Sequence, residues 1–404
     1  MRWILHSDMN SFFASVELLY RSDLRGRPVA VCGSVAERHG IVLAKSDEAM
    51  RYGIKTAETI SEANSKCRDL RIISPHYELY KKYSKMAKEI YERYSDKVEP
   101  FGPDECWIDV TFMVDSWATA VNLAIQIKNT IKAELGLNVS IGVAHNKFLA
   151  KMGSKLAKRN GIKIIDSETW QREILPLDLT HMFGCGKATR EKLAKYAVKT
   201  IMDLAGMNYD FCAAVLGKNG TVLWRWANGV DTSPVISSYE RRQSLSLSHG
   251  ITCRKDLHSI NEIRRVIQFL LKDIVGQLHR SEIGGSSIEI IVKFVDLKAR
   301  RYTANLLEPL NSYFALERSY VQLLQKEGGV PGDGVRAVTI GISTFKKIQA
   351  GTGKIDNIGC NMRGKADLTQ TWYKLRKLFG SNALYHAGEA IGGNLPNYVQ
   401  NEVC

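Results

Sequence analysis

The chain carries three acidic residues whose spacing could support chemistry. Asp8 lies in residues 3–17, W-I-L-H-S-D-M-N-S-F-F-A-S-V-E, and Asp104 and Glu105 lie in residues 101–110, F-G-P-D-E-C-W-I-D-V. Each stands where an apolar, β-prone run begins or ends, so folding can bring two strand ends together. Converging carboxylates need cations, and a pair of Mg²⁺ ions, which prefer oxygen ligands, would suit them. Such a pair can activate an attacking oxygen and stabilise a leaving one in phosphoryl or nucleotidyl transfer.

The elements that must position these acids follow from the apolar pattern of the first 165 residues. Tyrosines and apolar residues at intervals of three and four over 77–94 predict a helix with a buried stripe. A second helix over 117–135 is expected to stop at Gly136 and to bury Val121, Ala124, Ile125, the stem of Lys128 and Ile131. Segment 19–75 is predicted to leave the main sheet. The predicted strands are 3–6, 28–32, 41–45, 70–73, 97–101, 106–110, 139–144 and 162–165.

Beyond residue 165 the pattern changes twice. Residues 166–235 lack a strand signal and predict short helices, with Gly184 and Gly186 in a turn at a helix N-terminus. Such a turn can seat a phosphate, although an ordinary helix-helix turn explains it too. Residues 236–244 predict a polar linker. Residues 241–347 predict a small α+β unit from helices 260–278 and 313–326 and strands 284–294 and 336–343. The tail, 348–404, is predicted to be irregular except for a helix over 368–379.

Composition limits the classes of function that need to be considered. With 404 residues, 45% of them hydrophobic and 24% charged, the chain is predicted to form several globular domains. It has no bilayer-length apolar run and no secretion signal at its start, which predicts a cytoplasmic protein without membrane association. Its eight cysteines form no C-x-x-C pair. This spacing argues against a zinc site and a disulfide framework, and favours reduced, mostly buried thiols.

Charge points to a polyanionic partner. The formal net charge is +14, and residues 241–347 hold 17 Lys and Arg against 10 Asp and Glu. About a quarter of the chain therefore carries half of the excess, and on this argument alone a nucleic-acid-binding surface and a solvated surface are about equally expected.

Several motifs, in order along the chain, resemble the Y-family translesion DNA polymerases, most closely the bacterial DNA polymerase IV branch. H-S-D-M-N-S-F-F-A-S-V-E is similar to the family's D-M-D-x-F-F-A-x-V-E, and P-D-E-C-W-I-D to its S-I-D-E-x-x-x-D. Residues 140–161, S-I-G-V-A-H-N-K-F-L-A-K-M-G-S-K-L-A-K-R-N-G, resemble its S-x-G-I-A-x-N-K-x-L-A-K-x-A-S-x-x-x-K-P-x-G. M-F-G-C-G and L-R-G-R-P-V-A-V resemble thumb and fingers motifs.

The resemblance implies an α+β multidomain fold. It has a ferredoxin-like palm, small fingers, a helical thumb and an α+β little-finger domain that binds DNA. Mapped onto this chain, the divisions are palm 1–18 and 76–165, fingers 19–75, thumb 166–235, linker 236–240, little finger 241–347 and tail 348–404.

The resemblance also implies roles for single residues. Asp8, Asp104 and Glu105 would coordinate two Mg²⁺ ions, with the backbone carbonyl of Met9 as a further ligand. Phe13 would be the steric gate that leaves no room for a ribose 2′-hydroxyl, although a core aromatic residue is the alternative.

Further residues are expected to contact nucleotide or DNA. Ser11 and Phe12 would offer backbone amides to the triphosphate, and Lys158 would reach the same phosphates, with Lys155 or Arg159 able to share that work. The expected DNA contacts are Gly184, Gly186, Arg241 and Arg242.

The fingers depart from the family pattern. Where the family reads Y-E-A-R, with Tyr and Arg on the triphosphate, this chain reads D-E-A-M, so Asp47 and Met50 replace the two gripping residues. A carboxylate repels a polyphosphate and methionine donates no hydrogen bond, so nucleotide affinity is expected to fall unless another cation substitutes. The candidate cations are Arg38, Lys45, Arg51 and Lys155. Asn10 also replaces an aspartate, and the tail lacks a Q-L-x-L-F type clamp-binding peptide.

The function expected from the resemblance is template-directed DNA synthesis at low fidelity by two-metal-ion catalysis. The partners would be primer-template DNA and deoxynucleoside triphosphates, the protein would be a monomer, and binding to a sliding clamp stays open. One alternative is a DNA-binding protein on the same scaffold with weakened catalysis. Another is a different two-metal palm enzyme such as a nucleotidyl cyclase.

Overall fold

The structure, a computed structural model, describes residues 1–35, 38, 40–157, 159–237, 245–327 and 334–348. These residues form two compact units. Unit 1 takes the described residues of Met1–Gly33 and Ile41–Arg241, and unit 2 takes those of Ser34–Gly40 and Arg242–Val403.

A five-stranded sheet lies at the centre of unit 1. Its strands are β1 (Ile4–Met9), β5 (Val98–Phe101), β6 (Glu105–Asp109), β7 (Val139–Ala144) and β8 (Ile162–Ile165). Their spatial order is β5-β6-β1-β7-β8, so β1 is the middle strand. It pairs antiparallel with β6 and with β7, while β7 and β8 are parallel. A strand with neighbours on both sides is held in register along its length, which fixes where its last residues lie.

Helices cover both faces of this sheet. They are α1 (Phe12–Tyr20), α4 (Tyr77–Glu92), α5 (Trp117–Leu135) and α6 (Lys147–Leu156). Alternate residues of β1 divide between the two faces, as a strand requires. Leu5 and Met9 are buried with α4 and α5, whereas Ile4 is buried with α6.

A separate three-stranded sheet forms within the segment that was expected to leave the main sheet. Its strands are β2 (Val29–Cys32), β3 (Val42–Lys45) and β4 (Arg71–Ile73), in the order β3-β2-β4. It is accompanied by α2 (Asp47–Arg51), α3 (Ile60–Lys66) and a 3₁₀ turn, Ser22–Leu24. Ser46 caps α2 and Thr59 forms a capping box with Glu62 at the start of α3.

Short helices follow the central sheet, as the sequence predicted. They are α7 (Ser167–Thr169), α8 (Lys187–Ala194), α9 (Ile201–Ala205), α10 (Tyr209–Leu216) and α11 (Lys218–Ala227), with a π-helical turn at Trp170–Ile174. Their buried residues share a core with Phe148 and Met152 of α6.

Unit 2 is a four-stranded antiparallel sheet with two helices. Its elements are β9 (Ser246–Leu257), α12 (Ile260–Arg280), β10 (Ile283–Phe294), β11 (Ala299–Leu310), α13 (Tyr313–Lys326) and β12 (Val335–Lys347). The strand order is β11-β10-β12-β9. Both helices pack on one face, where Ile288, Ile290 and Val292 of β10 meet buried leucines and isoleucines of α12. The opposite face carries mostly polar and charged side chains that are partly or fully exposed, such as Glu289, Lys293 and Arg301.

Two features of the prediction were wrong or incomplete. The sequence predicted only two strands in unit 2, because polar residues on the open face of β9 and β11 interrupt the apolar residues of both strands. On α5, Ile125 was expected to be buried but is 42% exposed. The core face is instead formed by Ala120, Ala124, Ile127 and Ile131. Because each residue advances about 100° around the helix axis, Ile125 lies outside this buried stripe.

Three other expectations have mixed outcomes. Six cysteines are described, and all are free and buried: Cys32, Cys67, Cys106, Cys185, Cys212 and Cys253. Within the described ranges, no helix has the length and apolar character needed to cross a membrane. The predicted helix over 368–379 and most of the predicted linker lie outside the described residues.

Candidate functional site

The central sheet brings Asp8 and Glu105 together. In the β1–β6 pairing, Asp8 is directly opposite Glu105, and His6 is opposite Trp107. Directly opposed residues of an antiparallel pair project from the same face with Cβ atoms about 5 Å apart. Two acids nearly a hundred positions apart are therefore cross-strand neighbours, as the sequence predicted for them.

Asp104 lies one residue before β6, in the tight loop that joins it to β5. Its backbone carbonyl accepts a hydrogen bond from the N–H of Met9 at 3.0 Å, so the loop is tied to the end of β1. Gly102 permits this loop, because its φ of +76° favours glycine. The side chain of Met9 is buried, which leaves only its backbone for the ligand role predicted for it.

The electrostatics of the three acids show that they interact. Burial, followed by the charges of Glu105 and Asp104, raises the pKa of Asp8 to about 7. Burial and the charge of Glu105 also raise the pKa of Asp104. Neither side chain has an ion-pair partner within 4.0 Å among the described residues. The two carboxyl groups are thus short of positive charge.

Glu105 is in a different position, because it already has cationic neighbours. Lys151 of α6 forms an ion pair with its Oε2. Nε2 of His6 lies 3.4 Å from the same oxygen but is not well aligned for a hydrogen bond. Burial would raise the pKa of Glu105, but the contacts with His6 and Lys151 outweigh it and lower that pKa. His6 is fully buried and its Nδ1 contacts the Ser154 hydroxyl at 2.7 Å.

The donor set suits a hard divalent cation, although it is not a preformed cage. Asp8 and Asp104 offer carboxylate oxygens that have no ion-pair partner among the described residues. Such oxygens are the ligands that Mg²⁺ and similar ions require. In the described part of the chain, no group of three His, Cys, Asp or Glu side chains is close enough to hold a metal as placed. Glu105 differs from the other two acids in that its Oε2 is already paired with Lys151.

Phe13 is presented at the start of α1 on a stacked tyrosine. Its ring lies 4.1 Å from that of Tyr80, with the two planes 11° apart, and meets the edge of Tyr77. The Tyr80 hydroxyl donates a hydrogen bond of 2.5 Å to the buried carboxylate of Glu17. Phe13 is only partly buried, whereas its neighbour Phe12 is in the core. The structure therefore gives the two phenylalanines different surroundings.

The N-terminus of α1 is not capped by a side chain. Ser11 stands at the N-cap with a left-handed φ of 48°, and its side chain makes no capping hydrogen bond. The first N–H groups of a helix have no partner inside the helix, so they can bind an anion. The Ser11 hydroxyl instead accepts a hydrogen bond of 2.6 Å from Arg159. Lys158, predicted to share this region, lies outside the described residues.

The other candidate cations have distinct surroundings. Lys155 donates to the backbone carbonyl of His181 at 2.9 Å, and Arg38 forms an ion pair of 2.6 Å with Asp256 within unit 2. Arg51 is exposed on α2. Lys45, on β3, donates to the Thr56 hydroxyl at 3.1 Å.

The glycines expected to bind DNA lie before α8. Gly184 has a φ of +80°, and a Cβ there would stand 3.0 Å from the Trp226 ring, so only glycine fits comfortably. Gly186 is the N-cap of α8 and has open space around it. The predicted turn at a helix N-terminus is therefore present. Arg241 and Arg242 fall in a segment that the structure does not describe.

Comparison with known proteins shows which family this chain resembles. Residues 7–155 match the impB/mucB/samB family, and residues 244–357 match the C-terminal domain of the same family. A DNA polymerase IV of Alkaliphilus oremlandii is 31% identical over 401 residues, covering 95% of this chain and 98% of the relative. A DNA polymerase IV of Acetivibrio thermocellus is 42% identical over 306 residues, which cover 76% of each chain.

The chain belongs to the Y-family DNA polymerases. Its fold agrees with that membership: a Y-family DNA polymerase chimera superposes with a TM-score of 0.74 at 22% identity, covering 85% of this chain and 98% of the other. The family resemblance and the mixed α+β architecture expected from the sequence are thus confirmed. The division into palm, fingers, thumb and little finger at the stated boundaries stays a prediction.

Sequence reasoning missed two residues of this polymerase site. Lys151 and His6 both approach Glu105, and Lys151 also lies 4.8 Å from the Phe101 ring and 5.1 Å from the Phe183 ring. Both residues stand inside the quoted motifs, but nothing in their spacing indicates a contact with Glu105. That contact arises because α6 packs closely on β7, where Gly153 of the helix lies against Gly142 of the strand.

Proposed function

We propose that the protein is a template-directed DNA polymerase that adds deoxynucleotides to a primer 3′-hydroxyl and copies damaged template at low fidelity. The observation that carries this proposal is the cross-strand pairing of Asp8 with Glu105, beside Asp104, in a chain of this family. The small sheet β3-β2-β4 is a modest structure to place over a nascent base pair. A lightly covered site is what tolerance of distorted template requires.

Two Mg²⁺ ions are the proposed cofactor, held by Asp8, Asp104, Glu105 and the backbone carbonyl of Met9. When bound, they would lower the pKa of the primer hydroxyl and neutralise the triphosphate and the leaving pyrophosphate. Asp8 and Asp104 would supply the first ligands, since both lack cation partners among the described residues. Lys151 would keep Glu105 ionised, since contact with it lowers the pKa of that carboxyl.

The incoming nucleotide would lie against the N-terminus of α1. The backbone N–H groups of Ser11 and Phe12 would face its phosphates, with Lys158 reaching them from the loop after α6. Phe13 would meet the sugar, and its stack on Tyr80 would keep the ring from retreating before a 2′-hydroxyl.

DNA would be bound by both units. Gly184 and Gly186 would place backbone N–H groups of the α8 N-terminus on a phosphate, and Arg241 and Arg242 would add charge. On unit 2, the open face of the sheet carries polar and basic residues, among them Lys293, Arg301 and Thr303. Contacts of this kind position DNA without reading its sequence, as a polymerase requires.

Primer extension tests the activity. Purified protein with a primed template, all four deoxynucleotides and Mg²⁺ should lengthen the primer, and Asp104→Ala should abolish this. Asp69→Ala, which changes an exposed acid of unit 1, is the matched control and should extend normally. Equal extension by the wild type and Asp104→Ala would end the assignment. Incorporation without template would favour a different two-metal enzyme.

The remaining partners are also proposals. A cytoplasmic monomer that uses DNA and deoxynucleoside triphosphates fits the family, and docking on a sliding clamp stays open. The alternative of a DNA-binding protein without catalysis gains no support from the comparisons.

A further inference from the structure

The fingers of this chain lack the two residues that grip the triphosphate in the family pattern, yet the same place holds an arginine from another element. Asp47 and Met50 stand one turn apart on α2. The guanidinium of Arg159, from the loop after α6, forms an ion pair with Asp47. It also lies against Met50, with Nη1 3.7 Å from the sulfur.

Arg159 reaches the N-terminus of α1 in the same arrangement. Its Nη2 donates to the Ser11 hydroxyl at 2.6 Å, and its charge acts on Asp8. One guanidinium thus connects α2, α1 and the surroundings of the carboxylates. Its side chain remains 35% exposed, so it is accessible to a ligand.

The loop that carries Arg159 is held by hydrogen bonds of Asn10, which stands where the family has an aspartate. The Asn10 side-chain oxygen accepts a hydrogen bond of 2.8 Å from the N–H of Asn160. Its amide nitrogen donates to the Ser140 hydroxyl at 2.9 Å. An aspartate has no N–H to donate, so the asparagine suits this bridge. Asn160 itself has a left-handed φ of 57°, which places Arg159 before a sharp turn.

A second cation stands nearby. Burial of Lys45, on β3, lowers its pKa, and the nearby charge of Arg159 lowers that pKa further. The two positive charges repel each other. Among the described residues, Asp47 is the one carboxylate that forms an ion pair with Arg159. Lys45 and Arg159, with the uncapped N–H groups of α1, therefore form a surface that favours a polyanion.

We propose that Arg159 binds the triphosphate of the incoming nucleotide in place of the fingers arginine that Met50 has replaced, and that Asp47 positions it. The proposal rests on the proposed polymerase function and names a residue of that same site. Asp47 holds the guanidinium next to Ser11, and the triphosphate binds to the guanidinium N–H groups that remain free. The loss of the usual fingers residues is thereby offset by a cation from the palm loop.

Equilibrium nucleotide binding tests this without requiring catalysis. A complex with dideoxy-terminated primer and template should bind the correct deoxynucleoside triphosphate about tenfold or more weakly in Arg159→Ala, because a charge-assisted contact is lost. The triphosphate affinity of Arg159→Lys should lie between those of the wild type and Arg159→Ala, since lysine keeps the charge without the planar guanidinium. The affinity ratio of triphosphate to diphosphate should shrink in Arg159→Ala. DNA affinity and melting temperature should match the wild type.

A rescue experiment tests whether an arginine at position 50 can replace Arg159. Adding Met50→Arg to Arg159→Ala should restore most of the lost triphosphate affinity. Arg68→Ala, which removes an exposed arginine of unit 1 with no assigned role, should leave the triphosphate affinity of the wild type unchanged. In steady-state extension, Arg159→Ala should raise KM more than it lowers kcat. Unchanged triphosphate affinity in Arg159→Ala would overturn the proposal. If the wild type itself neither extends primers nor binds templated nucleotide, the polymerase assignment fails instead.

Asp47 is tested through its dependence on Arg159. As a positioning residue, it should matter only when the arginine is present. Asp47→Ala should change triphosphate affinity in the wild-type background and have a much smaller effect in Arg159→Ala. Fully additive effects would show that Asp47 acts independently of Arg159, and would overturn its assigned role.

Discussion

The difference between Phe12 and Phe13 illustrates how neighbouring side chains of one type take different roles. Phe12 is 3% exposed and belongs to the core, while Phe13 rests on Tyr80 with one side accessible. Glu17 anchors that tyrosine through its hydroxyl. A phenyl ring supported from behind is a rigid wall, which is what exclusion of a single hydroxyl requires.

Shortening Phe13 is expected to open this wall. Phe13→Ala should reduce the preference for deoxyribonucleotides over ribonucleotides by about tenfold or more, because the clash with the 2′-hydroxyl disappears. Relative kcat/KM values for the two sugars measure this. Tyr80→Phe, which keeps the stack but loses the hydrogen bond to Glu17, should discriminate nearly as well as the wild type. Unchanged selectivity in Phe13→Ala would show that the ring is only a core residue.

Asp8 is expected to reduce the stability of the metal-free protein. Its pKa is raised to about 7 in the fold, so the folded state binds a proton more tightly than the unfolded state, and stability from this group is lost as pH rises from about 4 to about 7. In EDTA at pH 8, Asp8→Asn should therefore raise the free energy of unfolding by about 1–3 kcal/mol. Urea denaturation at pH 8 and pH 5 measures this.

The control lies in the second pH. At pH 5 the wild-type Asp8 is already protonated in the fold, so the advantage of Asp8→Asn should shrink. A stabilisation that is equal at both pH values would mean that ionisation of Asp8 has no part in it.

The seating of α6 decides which side chains reach the carboxylates. A Cβ at Gly142 on β7 would stand 1.9 Å from the Ala150 carbonyl oxygen, and one at Gly153 would stand 3.0 Å from the Gly142 Cα. These glycines let the helix backbone lie directly on the sheet. From that position Lys151 reaches Glu105, and Ser154 reaches His6.

Gly142→Ala should lift the helix from the sheet. Because backbone atoms cannot give way as a flexible side chain can, we expect a loss of stability of about 2–4 kcal/mol and a larger loss of primer extension than of DNA affinity. Gly186→Ala adds the same methyl group where nothing lies within 4 Å and serves as the control for stability. A Gly142→Ala protein with wild-type melting and activity would contradict this account of the packing.

Charge over the full chain is expected to govern DNA binding. The net charge of +14 and the polar open face of unit 2 suit a backbone-directed interaction. Such binding releases counterions, so log affinity should fall linearly with log salt concentration, by about 0.9 per neutralised phosphate. Affinity should therefore drop by at least about a hundredfold between 50 and 200 mM NaCl.

Removing charge from the open face should flatten that dependence. Lys293→Gln combined with Arg301→Gln should lower the slope by up to about two units, since each cation accounts for about one phosphate. Fluorescence anisotropy over a salt series measures the slope. Lys326→Gln, at the end of α13, should leave it unchanged, and an equal slope in all three proteins would remove unit 2 from the DNA surface.

The sequence alone identified most of the elements and the family. Strands β7 and β8 and helix α13 begin and end at the predicted residues, because their apolar periodicity is strong and their ends carry clear stop signals. It failed where periodicity is weak or ambiguous. β9 and β11 are polar on the open face, and the core stripe of α5 runs through Ile127 rather than Ile125.

Local pattern also placed Asp8 and Glu105 at strand ends, and motif order assigned the chain to the polymerases. Packing between distant segments decided the rest. Lys151 meets Glu105 because α6 crosses the sheet at two glycines, and Arg159 meets Asp47 and Met50 across more than a hundred positions. Contacts of this kind depend on how elements are seated in three dimensions, and the spacing of residues along a chain carries no record of that seating.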